Sequence, residues 1–215
     1  YKVRGATLRT ENAAKPFTSP SSGVIATILS LAPFGSTLDY GCGKLRYAAY
    51  LAECSQSVLL VDSEEQISRT QALLGTIGSV RGLAPTMFRN ASVANVDEFS
   101  TARAGFDFAL CANVLSAIPY PAVRLRALSS IGIRLMPRGQ CLVVTQHRNS
   151  YFAEAIRTRR AEKFGDGFLI SGKRGTSFYG LLHRDRLIKL VTESGLAVSD
   201  AWIAGESSYV LARAR

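Results

Sequence analysis

The sequence has little of what marks several large protein classes. No apolar run approaches the roughly 18 residues that a membrane span requires, and no charged-then-apolar targeting segment opens the chain. Histidine occurs only twice, and the four cysteines (Cys42, Cys54, Cys111 and Cys141) show neither C-x-x-C nor Cys/His metal spacing. That excludes a recognisable metal or disulfide framework and points to reduced thiols in a cytoplasmic protein, with Cys111 and Cys141 inside apolar runs that read as buried strands. Internal repeats and low-complexity tracts are also missing. What remains is 215 residues of ordinary globular composition, 47% hydrophobic and 20% charged, enough for one α/β domain with a substantial core.

Acidic residues are scarce relative to basic ones. Asp and Glu number 16 against 26 Lys and Arg, a formal charge of +10. Such a balance suits an anionic partner, nucleic acid or a phosphorylated small molecule, and equally a chain that is basic for solubility alone. The excess is concentrated between Arg148 and Lys189, where ten basic residues face four acids and Tyr151, Phe152, Phe168, Phe178 and Tyr179 are interleaved. That mixture is able to grip phosphates and stack a base, or to be a solvated helical face over a few core aromatics.

Along the chain, residues 1–20 read as a basic arm and residues 21–215 as a single domain. Val24, Ile25, Ile28 and Leu29 form a helical stripe that ends near Pro33. Apolar runs then alternate with helical patterns, as in parallel βαβ units. A short strand at Ser36–Asp39 precedes a helix over 44–53, and a second strand, Ser57–Val61, ends at Asp62. Ser63 and Gln66 suggest a capping box for a helix reaching Leu74. A weaker strand falls within 86–93 and a clear one at Phe106–Cys111. A helix at about 121–135 is closed by Pro137-Arg138-Gly139, before a fifth strand at Cys141–Thr145. Residues 150–163 read as helical, 164–182 as Gly-rich and aromatic, and 184–194 as a helix ending at Gly195. Leu196–Ile203 and Ser207–Arg213 form a closing hairpin.

Chemistry concentrates where the opening strand turns into its helix. In Leu38-Asp39-Tyr40-Gly41-Cys42-Gly43, small residues let backbone approach a ligand, and helix N-terminal amides can meet a carboxylate or phosphate. Asp62, about twenty residues on, ends the next strand, where an acid can accept hydrogen bonds from the two hydroxyls of a ribose. Together they describe a nucleoside crevice at the carboxyl edge of the sheet. Taken singly, the Gly pair is also a plain tight turn, Asp62 a solvated acid and Asn113 a helix cap. A dinucleotide oxidoreductase needs G-x-G-x-x-G, but Arg46 stands at the third glycine position.

At these residues the chain resembles the class I S-adenosylmethionine-dependent methyltransferases, whose first motif runs acid-x-G-x-G-x-G. Asp39, Gly41 and Gly43 match it, Asp62 matches the second motif, and Phe106-Asp107-Phe108-Ala109-Leu110-Cys111-Ala112-Asn113-Val114-Leu115 the fourth; Leu45 replaces the third glycine. The resemblance covers residues 24–145, and the hairpin extends it to the end. It implies a Rossmann-like three-layer α/β sandwich with a mostly parallel seven-stranded sheet ending in an antiparallel hairpin. It also implies S-adenosylmethionine as cofactor and an acceptor-recognition insertion at about 148–189. Asp39, Gly41, Cys42 and Gly43 would line its methionine part, Asp62 the ribose, Ser63 the adenine with Asn95 or Val96 opposite, and Asn113 the reacting end. The arm would serve as a lid.

Methyl transfer is an in-line displacement, helped chiefly by holding the acceptor in line; a base matters only if the acceptor must lose a proton. His147, after the fifth strand, and His183, before the late helix, are the candidate bases, with Tyr179 a candidate for the acceptor pocket. A capping, surface or core role is open to each. No D/N-P-P-Y/F/W follows the fourth strand, and no Pro-Cys, which speaks against the DNA amino- and cytosine-C5 enzymes that carry them. No Lys-Asp-Lys-Glu set for ribose 2′-O transfer is evident. The expected acceptor is therefore anionic, nucleic acid or nucleotide first and a small-molecule metabolite second, with no metal and no membrane. A non-catalytic binding module is the rival class.

Overall fold

The computed structural model describes every residue except 103, 104, 149, 159, 173 and 174, and the backbone but not the side chains of 150–153. Arg159, Lys173, Arg174 and the side chains of Tyr151 and Phe152 thus lie outside the described set.

The arm is not a loose tail. It makes a small hairpin, β1 (Lys2–Val3) with β2 (Ala6–Thr7), and a 3-10 turn at Thr10–Ala13. Helix α1 (Ser22–Leu31) then buries Val24 and Ile28, four residues apart on one face. Strand β3 (Phe34–Tyr40), α2 (Ala48–Cys54), β4 (Ser55–Asp62) and α3 (Glu64–Ser68) follow. A hairpin of β5 (Gln71–Leu73) and β6 (Thr76–Gly78) replaces the continuation of α3 to Leu74: Leu74 and Gly75, both at positive φ, turn the chain back. Next come α4 (Val80–Met87), β7 (Ala91–Asn95), α5 (Val96–Thr101) and β8 (Phe106–Ala112).

Helix α6 (Pro121–Gly132) ends earlier than expected, because Pro137-Arg138-Gly139 lies inside the long strand β9 (Leu135–Gln146) rather than between elements. Helix α7 (Ser150–Arg157) is likewise shorter than the helical reading of 150–163. The Gly-rich segment resolves into an antiparallel sheet of β10 (Ala161–Phe164), β11 (Gly167–Gly172) and β12 (Gly175–Gly180). Helix α8 (Arg184–Glu193) and the hairpin β13 (Ala197–Ala204) and β14 (Ser207–Arg213) close the chain.

The seven-stranded sheet runs β13-β14-β9-β8-β3-β4-β7. Its β9, β8, β3, β4 and β7 are mutually parallel, and β14 adds antiparallel to β9. Period-2 alternation divides the core: Phe108 and Leu110 of β8, with Leu142 and Val144 of β9, face α1, α2 and α4. Ala109, Cys111, Cys141 and Val143 face α6 and α8 on the other side. Phe106 joins that second layer although it is two residues from Phe108, because the register with β9 shifts between them. Cys42, Cys111 and Cys141 are buried, Cys54 is half-buried, and all four are free. Among the described residues no helix is long and apolar enough to cross a membrane.

Candidate cofactor and acceptor site

Strands β3 and β8 are neighbours, yet the chain leaves β3 toward β4 and β7 on one side and leaves β8 toward β9 on the other. Loops departing from such a reversal diverge and open a crevice at the carboxyl ends of the strands. Here it is a cavity of about 470 Å³, with walls from the ends of β3, β4, β8 and β9, from the arm, and from β12.

The loop after β3 is shaped by backbone bonds. Gly41 and Cys42 both donate to the Val61 carbonyl of β4, at 2.7 and 3.0 Å. Gly41 sits at φ +85°, and a Cβ there would fall 2.1 Å from Val114 Cγ2, so only glycine fits beside β8. Gly43, at φ +56°, donates its amide to Asp62 Oδ2 at 2.8 Å, while the Ser63 amide donates to Asp62 Oδ1 at 2.8 Å. Loop and carboxylate are therefore one unit on one side of the molecule. Gln66, fully buried, reinforces it by donating from Nε2 to the Gly43 carbonyl. That bond takes the side chain that the capping-box expectation assigned to Ser63; the Ser63 hydroxyl does accept from the Gln66 amide, at 3.3 Å.

Leu45 explains the departure from the glycine pattern. Its φ is +61° and its side chain is buried among α2 and its neighbours, so the third position keeps a glycine-like backbone while spending its side chain on the core. This left-handed residue is also why α2 starts at Ala48, four residues later than the expected 44.

The two acids differ in their partners. Burial pushes the Asp62 carboxyl up, and the Gly43 and Ser63 amides pull it back. Asp39 is buried, its Oδ2 has no hydrogen-bond partner, and burial followed by the nearby Asp62 charge pushes it up to about 7. Cys42, in the same loop, has its thiol driven well up by burial first and the two acids next, so it is held as the inert thiol.

The residues singled out in the sequence divide into two groups. Asp39, Gly41, Cys42, Gly43, Asp62, Ser63, Val96, Asn113 and Tyr179 all line the cavity. Asn95 does not: its side chain caps α5 by accepting from the Glu98 amide at 2.8 Å, and its Nδ2 donates to Glu64 at 2.8 Å, leaving that wall to Val96. His147 and His183 stand together with rings 5.8 Å apart, but neither lines the cavity. His147 is held below the usual imidazole range by burial first, then by Arg148 and His183. His183 sits at the N-terminus of α8 with its side chain largely exposed.

Several lining residues carried no sequence signal. Thr10, Glu11 and Ala14 come from the arm, and Ser116, Gln146 and Ser207 from the far end of the crevice. The arm is tied down on two sides: the Arg9 amide donates to Thr176 of β12 at 2.8 Å, and Arg69 donates to the Glu11 carbonyl at 2.9 Å. Gln146 alone was within reach of sequence reasoning, as the last residue of a strand at the ligand edge.

A crevice of this construction belongs to the nucleoside-binding α/β folds. A family profile described as a methyltransferase domain matches residues 15–199. The chain is 34% identical over 210 residues, covering 98% of it and 94% of the relative, to the uncharacterized protein YmfD of Escherichia coli (strain K12). In fold it is similar to an S-adenosylmethionine-dependent methyltransferase from Clostridium acetobutylicum (TM-score 0.64, 14% identity, 94% of both chains). It is also similar to one from Methanosarcina mazei (TM-score 0.63, 18% identity, 91% of this chain and 99% of that one). A third is the N-methyltransferase NodS of Bradyrhizobium japonicum, solved with S-adenosylhomocysteine (TM-score 0.57, 15% identity, 93% and 88%).

The chain belongs to the methyltransferase-domain family and is an S-adenosylmethionine-dependent methyltransferase. Its residues fit that cofactor. The buried, unpartnered Asp39 Oδ2 needs a cationic donor, which an amino-acid ammonium supplies, and the Gly41 turn gives room beside it where a Cβ would close the space.

Proposed function

We propose that this methyltransferase acts on a small molecule enclosed in the inner part of the cavity. Asp39, Gly41, Cys42 and Gly43 surround the methionine part of the cofactor, Asp62 accepts from the ribose hydroxyls, and Ser63 and Val96 flank the adenine. When bound, S-adenosylmethionine supplies an activated methyl group. The chain's own residues hold the acceptor in line and exclude water, the arm and β12 closing the space above Asn113, Ser116 and Gln146.

The observation that carries this reading is where the basic excess goes. Of the described cations between Arg148 and Lys189, none lines the cavity; among the described residues of that region only Tyr179 does. Most of those cations are paired, Arg160 with Glu154, Arg184 with Asp185 and Lys189 with Glu193 at the surface, and the exposed Arg186 with the buried Asp166. The cavity wall carries Arg9, Lys15, Lys44 and Arg46 together with the acids Glu11, Asp39, Asp62 and Glu65. A walled cavity of this size suits a metabolite-sized ligand. The basic outer surface favours the second reading, a nucleic-acid or nucleotide acceptor.

Incubation with methyl-labelled S-adenosylmethionine and either a metabolite extract or pooled RNA and DNA separates them. Label in the small-molecule fraction is expected. Label in nucleic acid, weakened steeply by added salt, would establish the second reading instead.

A further inference from the structure

Among the described residues four cations stand on the cavity wall, and they are held in different ways. Arg46 donates through Nε to the Ser19 carbonyl at 2.7 Å and lies over the Tyr47 ring, so it fastens the end of the arm to the start of α2. Lys44 belongs to the cofactor loop, and Lys15 precedes the bridge that Pro16 makes with it. Arg9 stands elsewhere, against β12. Its amide donates to the Thr176 carbonyl at 2.8 Å and its own carbonyl accepts from the Ser177 hydroxyl at 3.2 Å, so its backbone is fixed. Its guanidinium makes no hydrogen bond among the described residues. It has one ion pair, with Glu11 at 3.6 Å, and its side chain is 59% exposed.

Strand alternation sets which way that guanidinium turns. Phe178 and Gly180 occupy the face of β12 that covers Arg124. Leu8, which runs beside Thr176, packs with Phe178. Ser177 and Tyr179 occupy the opposite face, and Tyr179 lines the cavity. Arg9, the residue after Leu8, turns to that same side and lines the cavity with it. Gly175 leaves space for the arginine stem, since a Cβ there would stand 3.1 Å from Arg9 Cγ. At the acceptor end, Ser116, Gln146 and Ser207 are all uncharged, so Arg9 is the cation that the cap presents to it.

Chemistry narrows what such a cation takes. A guanidinium presents five donors in a planar fork that matches the paired oxygens of a carboxylate or phosphate. Here the fork stands on a fixed backbone with one loose ion pair, so an entering anion meets an oriented cation and breaks no hydrogen bond. We propose that Arg9 is a specificity-determining residue that pairs with a carboxylate or a phosphate monoester of the acceptor, so that the substrate class is a small organic anion. The inference rests on the small-molecule methyltransferase reading and names the group by which the acceptor is recognised. An anchor on the cap, with the cofactor on the floor, fixes the acceptor between them and so restricts its approach to the methyl group.

The test divides a bacterial metabolite extract on an anion exchanger at alkaline pH and incubates each fraction with the full chain and methyl-labelled S-adenosylmethionine. Label is expected from the retained, anionic fraction. Arg9→Ala keeps both backbone bonds to β12. It should raise the amount of that fraction needed for half-maximal rate by about ten- to hundredfold, with the maximal rate within about twofold. Arg9→Lys, which keeps the charge and loses the fork, should recover part of this. Phosphatase treatment of the fraction separates the two anions: activity lost marks a phosphate monoester, and activity kept marks a carboxylate. Label from the unretained fraction alone, or an unchanged half-maximal amount in Arg9→Ala, would overturn the assignment. So would a parallel fall in S-adenosylhomocysteine affinity in that variant, which would give Arg9 to the cofactor. Label from neither fraction, in protein that binds S-adenosylhomocysteine, would instead remove the small-molecule reading, and this inference with it.

Discussion

The crevice floor and the cap above it differ in how far along the chain their partners lie. The floor, from Asp39 to Ser63, is held by backbone amides, strand register and glycine geometry, so its shape follows from short stretches of chain. The cap, made of the arm and β10–β12, combines backbone pairing, including the Arg9 amide on Thr176, with side chains that meet across long separations. At its centre Arg124 of α6 is fully buried. It donates through Nε to the Ile118 carbonyl at 2.7 Å and pairs in a two-pronged contact with the buried Asp166 between β10 and β11. Above it Val3 and Leu8 of the arm pack with Leu169 and Phe178. Short-range rules thus describe the floor, and pairing over longer separations describes the cap.

The largest loss is expected at the buried pair of Arg124 and Asp166. Replacing Asp166 by Ala strands a buried guanidinium, so a loss of about 3–5 kcal/mol in denaturant unfolding is expected; a loss below 1 kcal/mol would mean that the cap is held elsewhere. Leu45→Gly relieves a left-handed leucine but empties a core position, and the cavity outweighs the relief. A net loss of about 2–4 kcal/mol is expected.

On the floor, Asp62→Ala should weaken S-adenosylhomocysteine binding by about 1–3 kcal/mol, measured by calorimetry. Part of that arises from the freed Gly43 amide, so Asp62→Asn should fall between the two.

Asp39 sharpens the contrast through pH. Its folded value of about 7 exceeds the ordinary 3.8, so the folded apoprotein holds a proton there between those values and the unfolded chain does not. This group's contribution to stability therefore falls as pH rises through that window. A bound ammonium favours the carboxylate, so binding must expel the proton at low pH. Affinity is expected to be flat above about pH 7 and to fall by at most about tenfold per unit below it. Asp39→Asn should flatten the profile. On the outside, Lys189→Ala removes only an exposed pair with Glu193 and should change stability by less than about 0.5 kcal/mol.

The same division decided how much could be read before any coordinates. The sheet strands and the glycine-acid constellation were legible because each depends on local periodicity and on spacing within about twenty residues. The hairpin β5–β6 was missed because Ser63 starts a helix convincingly and the turn at Leu74-Gly75 carries only one glycine. The 164–182 segment was legible as Gly-rich and aromatic, but its three strands are anchored to α6 by Arg124 and Asp166, 42 residues apart. The histidines attracted attention as the usual bases, yet their position after β9 and before α8 puts their rings against each other, outside the cavity. Charge composition says nothing about which way a cation faces, so it leaves the acceptor open.

A crystal structure with S-adenosylhomocysteine bound tests the central claim most directly. Its ribose hydroxyls are expected on Asp62, its ammonium within hydrogen-bond distance of Asp39, and its sulfur end toward Asn113. Ligand density elsewhere on the surface, or a ribose turned away from Asp62, would contradict it.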